Sequence, residues 1–283
     1  MNDWWLKVQR AEKHMVDINH EAVRYASSNP YSFTRIRLPE SQKEIRMRFH
    51  ITEQPDPMIA VMLGDFIHNL RSALDYVVVA CVPKQRRKSA SFPILFQDIF
   101  AQDNKGQVVV NDTKLGENFI TATKGLHPEA MAHIVELQPC RHPVYANVNI
   151  LGIISRLENA DKHRQLITIG CGGQDFTASF TVRGLNKPIN RHGLLVTGGQ
   201  ILKDNTVIPY NVDLDGIPHP DGTFVRYSDV DMQLTGTAKI LVKVARVGGN
   251  SPPDDFLLDS IMTSALSDVR EILKRLEFFV VST

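Results

Sequence analysis

The segment Val148–Arg164, VNILGIISRLENADKHR, is apolar on every side in its first half and densely polar in its second. A helix that is apolar all round belongs in the middle of a core. The residues that follow, Arg156, Glu158, Asn159, Asp161, Lys162, His163 and Arg164, continue directly from that buried half. At about 100° per residue, Arg156, Asn159 and His163 fall on one face. Buried charge is costly unless it is paired or used. The segment is therefore expected to form a helix over 147–165 and to carry the functional site.

A chain of 283 residues can bury a large core, in one elaborate domain or two small ones. Its 43% hydrophobic and 22% charged residues are ordinary for a soluble protein. The formal net charge of +1 argues against nucleic-acid binding through bulk positive charge, and leaves room for a local basic patch. Cys81, Cys140 and Cys171 are too few and too scattered for a disulfide framework or a zinc pattern, which points to a reducing cytoplasm. No apolar run reaches membrane-span length, and Met1–Asp3 leads into a tryptophan pair, not a signal peptide. No membrane partner is expected.

The fold expectation is α+β: a helical bundle core with a β-hairpin near the N-terminus and an attached antiparallel β-region. Trp4, Val8, Ala11, Met15, Ile18, Ala22 and Tyr25 form one stripe of a helix over 3–27, with His14 and His20 off it and solvated. Ile45, Met47, Phe49 and Ile51 alternate with polar residues, as a half-buried strand does; with the segment from Tyr31 they make a hairpin within 31–53. Asp56-Pro57 is expected to open a helix over 57–82, the aspartate capping it. Further helices are expected over 128–138 and 254–280. Between Ser91 and Gly125 the pattern reads mostly as loop, with Phe92-Pro93-Ile94 extended and a short strand at Gln107–Val110. Short β-type runs separated by Gly and Asp-Gly turns fill 166–249. The expected division is a helical core of 1–165 plus 250–283, including the hairpin, and a β-region of 166–249.

Two helices carry polar constellations. On the helix over 57–82 the side opposite the apolar stripe holds Asp65, His68, Asn69, Arg71, Ser72 and Asp75, with Gly64 where something packs closely. On the other helix stand Arg156, Asn159 and His163, flanked by Asp161, Lys162 and Arg164. If the two faces meet, imidazoles, guanidiniums and carboxylates share one pocket, able to move protons and to stabilise an anion. The plainer reading is a solvated face on the first helix and internal ion pairs on the second, Arg71 with Asp75 and Glu158 with Lys162. Asp65, His68, Asp161 and His163 could in principle hold a divalent ion, but no His-x-x-x-His pair supports a metal, and no cofactor or metal is expected. No G-x-S-x-G or catalytic-cysteine context is present.

The segments GDFIHNLRSALDYVV, FPI, LQP and NADKHR resemble those of a group of uncharacterised bacterial and phage proteins that share a GDxxHNLRSALD helix and an NxDKHR helix. The likeness covers roughly Tyr31–Arg164. More loosely, the chain is similar to HEPN domains, helical bundles that often act as metal-independent endoribonucleases through an Arg-x(4–6)-His pair. Arg156-LENADK-His163 has that spacing, with Leu157 where those nucleases usually carry a polar residue. Arg71-SALD-Tyr76 would have it only if position 76 were histidine.

That resemblance implies His163 as general acid/base at a ribose hydroxyl, Arg156 as electrostatic stabiliser and Asn159 as phosphate ligand. His68 and Arg71 would complete the catalytic set from the facing helix. Asp65, Asn69, Asp75, Asp161, Lys162 and Arg164 would be binding residues. RNA would be the partner and a homodimer the working state. The alternative is a non-enzymatic binding module whose polar cluster recognises an anionic ligand or is purely structural.

Overall fold

Apolar residues at three- and four-residue spacing over 59–78 produce the most deeply buried helix of the chain, α2 (Met58–Ala80), in a computed structural model. The structure describes residues 2–39, 44–102, 108–162, 167–182, 189–194, 201–210, 218–219, 221–246 and 253–281. In chain order these give α1 (Asp3–Ser27), β1 (Tyr31–Ile36), β2 (Ile45–Ile51), α2, β3 (Phe100–Gln102), β4 (Val108–Val110), α3 (Lys114–Thr123), α4 (Pro128–Glu136) and α5 (Ile150–Lys162). They continue with β5 (Ile169–Val182), β6 (Ile189–Leu194), β7 (Val207–Tyr210), β8 (Val230–Val244), β9 (Asp254–Leu257) and α6 (Leu258–Leu276). The α+β class is as expected. The ladders β1–β2, β2–β7, β3–β4 and β5–β6 are all antiparallel.

The chain divides into two units. The first comprises Met1–Asn19, Pro57–Thr168 and Val242–Thr283. Its centre is α2, packed against α5 and α6, with Leu63, Phe66, Ile67, Leu70, Ala73, Leu74 and Val77 fully buried. Gly64 and Asn69 are buried too, so α2 has neighbours on the side read as polar. The helices from the two ends of the chain meet: Trp5 Nε1 donates to Glu277 Oε2 at 3.0 Å, and Arg270 pairs with Glu12. His14, expected in solvent, is buried, whereas His20 is exposed. The residue assigned before α2 is Pro57, which makes no side-chain capping hydrogen bond, and Asp56 lies 4.0 Å from Arg24. Cys81 and Cys140 are free and buried here, and burial pushes both thiols up to about 11.

The second unit comprises His20–Asp56 and Ile169–Leu241. One sheet runs β1-β2-β7; in the other β5 lies between β6 and β8, and the order continues to β9. Alternation puts Tyr31, Phe33, Phe49 and Met47 of the first sheet on the face that meets Phe176, Ala178 and Phe180 of β5. Phe176 sits among Tyr31, Phe33 and Phe49 with ring centroids 5.4, 5.2 and 5.6 Å away. A Cβ on Gly173 or Gly236 would fall 2.3 or 2.1 Å from the Phe176 ring, so both positions need glycine for this close approach.

The expected division attached the hairpin to the helical core. Instead β2 pairs with β7, with Met47 opposite Ile208, and the hairpin belongs with the β-region. The physical reason is that a two-stranded ribbon is marginal by itself; β7 adds a third strand and residues of β5 cover the apolar face. The helix expected from residue 254 begins at Leu258, because Asp254 is drawn into strand β9 and an ion pair with Arg246. Helix α3 lies where loop was expected; Thr113 accepts from Gly116 N and caps it.

Candidate functional site

α2 and α5 pack side by side in the first unit, and the side chain joining them is Glu158. Its carboxylate is 8% exposed, with Oε2 3.6 Å from Arg71 Nε and Oε1 3.7 Å from His68 Nδ1. Arg71 Nη2 also donates to the Phe92 carbonyl at 2.6 Å and to Asp75 Oδ1 at 3.1 Å. Asp75 Oδ1 in turn accepts from Phe92 N at 2.8 Å. Arg71 and Asp75 thus clamp both polar groups of one backbone residue, whose side chain is fully buried.

The clamp continues through Gln138, which is itself fully buried. Its Oε1 accepts from Leu95 N at 2.8 Å, and its Nε2 donates to the carbonyls of Pro93 (3.0 Å) and Ile134 (2.8 Å). Residues 92–95 form no regular ladder, so their buried polar groups depend on side-chain partners, and Arg71, Asp75 and Gln138 provide them. Replacing Gln138 by leucine keeps the volume and strands the Leu95 N–H and the Pro93 carbonyl. Urea unfolding should show a loss of about 2–3 kcal/mol.

Arg156 is occupied elsewhere. Its Nε donates to Gly152 O (3.1 Å), Nη1 to Asn147 Oδ1 (3.3 Å) and Ala245 O (2.9 Å), and Nη2 to Asn147 O (2.7 Å). The guanidinium lies 5.9 Å from the centroid of the Phe96 ring. Burial lowers its pKa and the negative charge of Asp254 acts in the opposite direction. The residue fastens the start of α5 to the chain after β8, which is a structural use of arginine's fixed fork of donors.

The face of α5 expected to meet α2, with Arg156, Asn159 and His163, is not the one that supplies the described contact; Glu158, from another face, does so. Arg71, Asp75 and His68 are brought together around Glu158; Arg156 faces the Asn147–Ala245 side, and Asn159 is exposed. Asn69 Nδ2 donates to the Asp65 carbonyl one turn back, and the Asp65 side chain is in solvent. His163 and Arg164 lie outside the described residues, and so do the side chains of Asp161 and Lys162. Among the described residues no three His, Cys, Asp or Glu side chains come together in a way that could hold a metal ion, and no helix is long and apolar enough to cross a membrane.

Glu158 and Gln138 hold this network together and were not among the expected site residues: Glu158 was read only as a partner for Lys162, and Gln138 was not singled out. The signal for Gln138 was a polar residue directly after Val135-Glu136-Leu137 and before a helix-ending proline. For Glu158 it was two turns of buried residues, Leu151, Ile154 and Leu157, whose arc it shares. No family model, curated protein or solved structure matches the chain.

Proposed function

We propose that the chain is a non-enzymatic binding module, and that the Glu158 cluster is a structural lock fixing α2 against α5 and the segment 92–95. One observation carries this reading: Arg71 and Asp75 of GDFIHNLRSALD bond each other and the backbone of Phe92, and Gln138 of LQP bonds the backbone of Pro93 and Leu95. Arg156, the intended anion stabiliser, is bound to three carbonyl oxygens and one side-chain oxygen. An arginine so committed would have to abandon these four hydrogen bonds to reach a phosphate. The convergence of those segments on one network also supports treating them as the signature of one family.

A second reading keeps metal-independent RNA cleavage, with the homodimer and the HEPN likeness that accompany it. It is favoured by His68, whose side chain is 56% exposed while its Nδ1 faces the buried Glu158 carboxylate. A carboxylate behind an exposed imidazole is an arrangement suited to general acid/base work. The deciding experiment incubates purified protein with RNA in the presence of a chelator. The binding-module reading expects no cleavage. Chelator-resistant cleavage that drops about a hundredfold in His163→Ala or His68→Ala, with the unfolding midpoint unchanged, overturns it.

A further inference from the structure

Within the first unit, α6 faces the start of α5 and the turn before it across a cavity of about 610 Å³. Its apolar lining is Leu151 and Ile153 of α5 with Ile261 and Ile272 of α6, each 2–4% exposed. Tyr145 and Phe256 add aromatic surface, and Tyr145 is 64% exposed. The same helix α6 also lines it with Ser260, Ser264, Asp268 and Glu271 at helical spacing.

The charges on that stripe are unevenly matched. Glu271 is held by Arg275, Oε1 to Nε at 3.1 Å. The other base lining the cavity, His142, has its Nε2 3.2 Å from the Glu136 carbonyl oxygen. Asp268 has no ion-pair partner among the described residues. It opens to solvent on one side, while the apolar surroundings on the other raise its pKa by desolvation. Among the described residues this carboxylate has no cation beside it, and an aromatic ring lining the same cavity offers its negative face to one.

We infer that this cavity binds a small organic ammonium ion, its charged nitrogen against Asp268 and its apolar body on the lining of Leu151, Ile153 and Ile272. A cavity of this size suits a ligand of small-molecule dimensions, oriented by one charged group. The site is separate from the Glu158 cluster, so it stands or falls independently of the lock.

Titration calorimetry with phenethylammonium tests this, with 2-phenylethanol as the neutral isostere. The full chain should bind the ammonium ion saturably, and the alcohol about tenfold or more weakly. Asp268→Asn, a near-isosteric change at a solvent-facing position, should weaken ammonium binding by a similar factor and leave the unfolding midpoint in place. Ser264→Trp should fill the cavity and abolish binding; its circular dichroism should match that of the unsubstituted chain. Absence of saturable binding, equal binding of the alcohol, or an Asp268→Asn chain that binds as before would each overturn the inference.

Discussion

Replacing Glu158 by alanine should lower the free energy of unfolding by about 3 kcal/mol, the low end of the range for breaking a buried ion pair. The low end applies because Arg71 retains Asp75 and the Phe92 carbonyl, so the stranded guanidinium keeps part of its compensation. Most of the loss is the cost of a poorly paired buried cation, together with the cavity left by the side chain. Trp4 and Trp5 both lie in the first unit, so tryptophan fluorescence during urea unfolding reports directly on this loss. His68→Ala should do far less, within about 0.5 kcal/mol, since that side chain is more than half exposed and its contact is screened. The contrast matters: a catalytic cluster would show the reverse order in activity, with the histidine dominant.

The second unit has its own weak point. Phe176→Ala should cost about 3–5 kcal/mol, as truncating a fully buried aromatic side chain does. Phe176 is 0% exposed and touches the rings of Tyr31, Phe33 and Phe49 from the opposite sheet. Removing it empties the space between the sheets, and Gly173 and Gly236 beside it carry no side chains to refill it. Far-UV circular dichroism should follow this transition, because the affected unit holds most of the strands. A destabilisation under about 1 kcal/mol would mean that the two sheets do not depend on this contact.

Much of the secondary structure was legible because it rests on periodicity alone. α1 was expected over 3–27 and is observed at Asp3–Ser27, and the apolar rows of α2 and α5 place those helices to within about three residues. What periodicity does not carry is partner choice. The hairpin's apolar face reads the same whether a helix or a sheet covers it, so its pairing with β7 was not recoverable. For the site, position on the wheel showed that α5 has polar residues on more than one face, but not which face turns toward α2. Arg156 and Asn159 shared a face and drew attention, whereas Glu158, about 200° beyond Arg156, is the one that points at Arg71.

The structural lock rests on the contact between Glu158 and Arg71, and a double-mutant cycle measures it directly. Glu158→Gln and Arg71→Met are made singly and together, and the unfolding free energy of each is determined in urea. The lock predicts a coupling of about 1–3 kcal/mol, the double variant being less destabilised than the two single losses added. Additivity to within about 0.5 kcal/mol would show that the two side chains do not stabilise the fold through each other, and would contradict the lock.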